Sequence, residues 1–175
     1  MTNILAHPCI CQHCASQGPT CCSTSTENLE FCFPLSQEEI AVISSRAGGE
    51  EFFVQVSNSS GFISQLARLL PDYNVGQVFA ATGTHWRLSV TQTGKCVFLG
   101  DAGCRLDRTI RPKYCRLFPL WVYQGQLTWF SMPECMAYKE YPKLEDLLAA
   151  MQTNGQEVRT LFTAMCAGLD LELCR

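Results

Sequence analysis

Apolar and polar positions along this chain fall into helical and extended stretches. Ser36-Gln37-Glu38-Glu39 has the form of a capping box, with Ser36 as N-cap and Glu39 three residues later. Ile40 and Ile43 follow at helical spacing, Val42 adds to that apolar face, and Gly48-Gly49 ends the run. A second helix fits Ser60 to Leu70. It carries Phe62, Ile63, Leu66, Leu69 and Leu70 on one face, and Pro71 stops it. The chain thus reads as helical until about Trp86.

From Trp86 the period changes. Arg87 to Val90 alternates and ends in the turn Thr93-Gly94. Cys96 to Leu99 is a short apolar strand closed by Gly100-Asp101. Leu120 to Tyr123, then Gln124-Gly125, then Leu127 to Phe130 is the pattern of a β-hairpin. After Pro142 helical spacing returns, with Leu144, Leu147, Leu148 and Met151 on one face. Asn154-Gly155 interrupts it, and Val158, Leu161, Phe162, Met165 and Cys166 form a further helical face. The expected fold class is α+β, with several helices and a small antiparallel sheet in a single domain spanning residues 1–175.

Composition changes this picture in one respect. The chain is 47% hydrophobic and 17% charged, which suits a globular protein with its own core. A net charge of −3 lacks the basic footprint of a nucleic-acid binder, so no nucleic-acid partner is expected. No apolar run approaches a membrane span, and the first residues lack the pattern of a signal peptide. The expected location is cytoplasmic and off the membrane. The unusual feature is the count of 12 cysteines.

The cysteines are grouped. Cys9, Cys11, Cys14, Cys21, Cys22 and Cys32 come first, then Cys96, Cys104, Cys115 and Cys135, and Cys166 and Cys174 lie near the end. Close-set cysteines in a cytosolic chain point to metal ligation rather than to a disulfide framework. Cys11-Gln12-His13-Cys14 is a C-x2-C knuckle, whose turn aims backbone amides at the sulfurs. Cys21-Cys22 follows the turn Gly18-Pro19. Adjacent cysteines point in different directions, so they suit a polynuclear cluster or two separate sites. Gly94 and Gly103 lie just ahead of Cys96 and Cys104, where glycine lets the backbone turn closely around an ion. An all-thiolate set suits zinc or an iron–sulfur cluster. Four thiolates on zinc leave an excess charge of −2, and Arg105, Arg111 and Arg116 stand nearby to offset it.

Cys96-Val97-Phe98-Leu99, then Cys104, then Arg111-Pro112-Lys113-Tyr114-Cys115-Arg116-Leu117-Phe118-Pro119 resembles the signature C-x-F-L…C…R-P-x-x-C-R-x-F-P. That signature marks the YkgJ-like cysteine-cluster family, named for zinc or iron chelation. Cys11-x2-Cys14…Cys21-Cys22 is similar to its C-x2-C…C-C element, and Ser36 to Ile40 to its Ser-x-x-Glu-Ile. The resemblance spans residues from about 9 to 135. Two departures stand out: six residues, Ala15 to Thr20, separate Cys14 from Cys21, and Leu106-Asp107 stands where the family often has Ile-Tyr. The resemblance implies a ligand set of Cys11, Cys14, Cys21, Cys22, Cys96, Cys104, Cys115 and Cys135, enough for two four-thiolate sites or for one cluster and one zinc.

Outside that set, Cys9 could stand in for Cys11, and His7 or His13 could replace a thiolate. Cys166 on an apolar helical face and His85 beside Trp86 read as structural. The expected function is metal binding, with the metal structural or held for delivery or electron transfer. The alternatives are a cluster-dependent enzyme or accessory factor akin to flagellin lysine methylases, and a zinc-stabilised interaction module with Trp121, Tyr123, Trp129 and Phe130 as its contact face. Asp101 and Asp107 sit near the expected ligands, though loops often carry aspartates. No Ser-His-Asp pattern, phosphate loop or H-E-x-x-H is present.

Overall fold

The computed structural model describes residues 10–18 and 20–174, without the side chains of Cys11, Thr26, Glu27 and Phe31. Among them lie helices α1 (Ile10–Gln17), α2 (Gln37–Ala47), α3 (Ser60–Leu69), α4 (Val75–Thr82), α5 (Lys113–Leu117), α6 (Met136–Glu140), α7 (Leu144–Ala150) and α8 (Gly155–Gly168). Strands β1 (Phe53–Ser57) and β2 (Thr84–Leu88) pair antiparallel, as do β3 (Leu99–Gly100) with β4 (Gly103–Cys104) and β5 (Leu120–Tyr123) with β6 (Gln126–Trp129). Short 3-10 turns run over Thr26–Phe31 and Arg108–Ile110. The protein is α+β.

Local chemistry sets several boundaries. Ser36 accepts from the Glu39 amide and Glu39 returns to the Ser36 amide, so α2 begins with a complete capping box. It ends at Gly48, whose φ of 86° needs a residue without a Cβ. Ser59 caps α3 and Asn154 caps α8, each by accepting backbone N–H groups. Gln124 and Gly125 both take positive φ, 48° and 73°, the conformation of a two-residue hairpin turn.

Two apolar cores result. The larger joins α3, α4, β5, α7 and α8 through residues such as Phe62, Leu66, Val75, Phe79, Trp121, Leu147, Phe162 and Met165. The smaller gathers Leu35, Ile43, Phe53, Phe98 and Leu106. Cys96 and Cys104 pack against the smaller core, while Cys135 and Ile10 pack against the larger.

The structure corrects several expectations. The stretch before Trp86 is not all helix: it contains β1, which pairs Phe53 with Leu88 and Ser57 with Thr84. The strand expected from Arg87 begins earlier, at Thr84. Cys96 to Leu99 is not a continuous strand. Cys96 makes an isolated bridge to Val90 and only Leu99–Gly100 pairs with β4. Val42 lies off the apolar face of α2 and is 41% exposed. Pro112 in Arg111-Pro112 suits the start of a short helix from which Phe118 is expected to enter the core; in α5 the buried residue is instead Leu117, whereas Phe118 is half-buried and stacks on Phe130.

Candidate metal centre

The expected ligands enter from separate elements. Cys14 rides on α1, Cys21 and Cys22 follow its end, Cys96 precedes β3, Cys104 closes β4, Cys115 is in α5, and Cys135 is the N-cap of α6. The first group is spliced to the second through the backbone. The Cys96 N–H donates to the Cys22 carbonyl at 2.8 Å, and the Thr24 N–H donates to the Gly94 carbonyl at 2.9 Å. Ser23 and Lys95 form the bridge between them. Gly94 makes this approach possible. Its φ is 76°, and a Cβ there would stand 2.0 Å from the Thr24 carbonyl oxygen.

Because of that splice, Cys22 becomes the hub. Its thiol is close enough to Cys14, Cys96 and Cys115 to raise the cost of ionising each of them. Cys104 acts likewise on Cys96 and Cys115, and Cys135 on Cys14. Cys21 donates toward Cys22, and with the nearby Arg111 cation this brings the Cys22 thiol down to about 7 against the opposing effect of burial. Burial first, then neighbouring thiols, pushes Cys96 up to about 11 and raises Cys14 and Cys115 as well. Cys115 has enough protein around it to raise its thiol, although the residue remains solvent-exposed.

Among the described residues no three His, Cys, Asp or Glu side chains are disposed to grip one ion. The thiols are neighbours without closing on a common point, and the Cys11 side chain lies outside the described part. The donor chemistry is nevertheless selective. Several soft thiols share a partly desolvated region beside one guanidinium, so they can ionise together only if a cation joins them. Thiolates of this kind suit zinc or iron–sulfur, not magnesium or calcium. The donor types present suit such a group, while their arrangement in this structure does not form a closed site among the described residues.

The flanking residues play more varied parts than expected. Arg111 donates from Nε to the Leu106 carbonyl at 2.9 Å and from a terminal nitrogen to the Cys104 carbonyl at 3.4 Å, so it braces the β4 end while its charge faces Cys22. Arg105 donates to the Val97 carbonyl and Arg116 to that of Thr109, at 3.5 Å for the latter. Asp107 caps the following turn by accepting the Thr109 amide at 2.8 Å. His13 Nε2 pairs with Glu140 at 3.1 Å, and His7 and Cys9 lie outside the described residues. His85 is structural. It is buried, stacks on Phe62 at 3.9 Å, and meets the Asn58 side-chain oxygen at 2.7 Å.

Three residues escaped the sequence reading as parts of this region. Cys32 adds to the repulsion at Cys96, and Arg87 lowers the cost of ionising Cys32 although burial raises it overall. Glu39 reaches from α2 to the start of α5, where its Oε1 accepts the Lys113 N–H at 2.6 Å. The capping-box pattern identified Glu39 only for its local role. The aromatic hairpin divides: Trp121 is 2% exposed and donates Nε1 to the Leu69 carbonyl at 3.0 Å, whereas Tyr123 is exposed.

Fold and site together define an α+β protein with a cysteine-rich seam between two apolar cores. Comparison with family models, with curated proteins and with solved structures finds no match for this chain. Its resemblance to the YkgJ-like family therefore rests on the motif residues. No helix among the described residues is long and apolar enough to cross a membrane.

Proposed function

We propose that this protein binds a thiophilic metal, as zinc or an iron–sulfur cluster, through Cys11, Cys14, Cys21, Cys22, Cys96, Cys104, Cys115 and Cys135. The observation that carries the reading is the backbone splice of Cys22 to Cys96, which brings the first cysteine group beside the second and sets Cys22 within electrostatic reach of Cys14, Cys96 and Cys115. Apolar packing alone gives no reason to assemble thiols that repel one another when ionised. A divalent ion or cluster reverses the sign of that interaction and turns a cost into binding energy. Arg111 would offset the residual negative charge of the thiolate set. Such a site holds its metal for structure, for delivery or for electron transfer, and a thiolate site of this kind is suited to a reducing compartment such as the cytoplasm.

The test is elemental analysis and absorbance of the anaerobically purified full chain. The reading expects about one or two bound metal equivalents per chain. A brown protein absorbing in the visible marks iron–sulfur, and a colourless one containing zinc marks the other form. Protein free of transition metal that takes up neither zinc nor ferrous iron and sulfide on reconstitution refutes the reading.

A further inference from the structure

We propose that Glu39 is a positioning residue for the metal centre, its buried carboxylate holding the helix that presents Cys115. This rests on the metal-binding reading above and adds a role outside the thiol set. Glu39 is 8% exposed. Its Oε2 accepts from the Ser36 N–H at 2.9 Å and from the Ser36 hydroxyl at 2.8 Å. Those bonds complete the cap of α2 and need only one oxygen. The other, Oε1, accepts the backbone N–H of Lys113 at 2.6 Å, across 74 residues of sequence.

The helix it reaches cannot hold itself. α5 has only 5 residues, and Pro112 offers no side-chain cap. One turn of helix is far below the length that is stable alone. Leu117 anchors its far end in the larger core. Its near end is tied to α2, through Glu39 to the Lys113 amide and through Glu38 to the Lys113 ammonium at 2.9 Å. Cys115 lies between these anchors. A turn about the Lys113 peptide would swing its thiol, so the Glu39 bond sets where that sulfur points. With both oxygens engaged, the carboxylate is also held back from competing with the thiolates as a ligand.

The test uses the full chain, with cobalt(II) as a spectroscopic probe for the metal, in the parent, Glu39→Ala, Glu39→Gln and Ile43→Val. Ile43→Val loosens α2 within the smaller core without touching the α5 link, so it reports what a purely structural defect does. In Glu39→Ala, hydrogen exchange of the α5 amides should rise about tenfold, as loss of one charged hydrogen bond implies. The thiolate-to-cobalt charge-transfer band per bound cobalt should fall by about a quarter, as when one of four thiolates misses the ion. Glu39→Gln has a single acceptor oxygen for the Ser36 and Lys113 donors, so it keeps one link and loses the other. If its α5 exchange rises the cobalt band should fall with it, and if its α5 exchange stays at the parent's rate the band should stay full, which decides the matter if the alanine variant does not fold. Glu39 variants indistinguishable from Ile43→Val, with cobalt bound normally, overturn the positioning role and leave metal binding standing. A parent chain that binds no cobalt overturns metal binding, and the positioning role with it, even where α5 exchange responds to Glu39→Ala.

Discussion

Replacing Gly94 by alanine tests the junction of the two cysteine groups. The substitution places a Cβ at a φ of 76° and 2.0 Å from the Thr24 carbonyl oxygen. Backbone, not a flexible side chain, occupies that space, so the segments must part. The left-handed conformation costs alanine about 1–2 kcal/mol. Parting also loosens the Thr24 N–H bond to Gly94 and the Cys96 N–H bond to Cys22, each worth about 1 kcal/mol. The sum is about 3–4 kcal/mol, which lowers the melting temperature of a domain of this size by about 10 °C. Gly100→Ala is the control, because its Cβ would meet the flexible Arg105 side chain at 3.3 Å and backbone, the Gly103 carbonyl oxygen, only at an ordinary contact distance of 3.6 Å. Thermal melting and hydrogen exchange of the metal-free protein give the readout. Gly94→Ala should melt early and expose the Thr24 and Cys96 amides, while Gly100→Ala stays close to the parent. Equal melting of the two variants, with Thr24 and Cys96 still protected, would show that the splice does not join the groups.

Further expectations concern the cores, the thiols and pH. Burial first, with Arg87 nearby, lowers the His85 pKa from 6.5 to about 4. The unfolded chain therefore binds more protons between those values. Stability is full above pH 6.5 and falls as pH drops toward 4, by up to about 3 kcal/mol. His85→Phe, which keeps the stack on Phe62, should flatten that slope in denaturant melts, and an unchanged slope assigns it elsewhere. In metal-free protein, alkylation of Cys22 should have its pH midpoint at about 7, well below that of Cys96 at about 11, as read by peptide mass spectrometry. Equal midpoints would refute the hydrogen bond from Cys21 and the Arg111 effect. Leu147→Ala, at a fully buried site in the larger core, should cost about 2–5 kcal/mol in denaturant melts; a cost below 1 kcal/mol would contradict the packing. Cys115→Ser should lower metal content and speed exchange at 10–18 and 20–22, whereas Cys166→Ser, buried in the larger core beside Tyr73, should alter neither; equal effects of the two would undo the distinction between ligand and core cysteine.

The elements legible in the sequence were those fixed by neighbours in sequence. The Ser36–Glu39 box, the break at Asn154-Gly155 and the Gln124-Gly125 turn each determine a boundary through local hydrogen bonds or dihedral angles, although that Asn154 caps α8 emerged only from the structure. β1 was not legible as a strand because its pairing with β2 is settled across the intervening helices α3 and α4. The candidate site followed the same division. Grouped cysteines suggested the chemistry, but not the Cys22–Cys96 backbone bond that joins the two groups. Nor did either cysteine group announce that α1 lies beside β4 and α6, where His13 meets Glu140, because these partners are remote in sequence. Cys32, Arg87 and the second role of Glu39 were invisible because their partners are remote in sequence and their local signals were already accounted for.

Native mass spectrometry of the anaerobically purified full chain tests the central claim most directly, because one spectrum reports bound metal and cysteine oxidation state together. The account predicts a mass increased by zinc or by an iron–sulfur cluster, less the protons displaced from the ligating thiols, and a return to the fully reduced chain mass on acidification. A metal-free ion lighter than the reduced chain by one hydrogen per cysteine, all paired in disulfides, would contradict it.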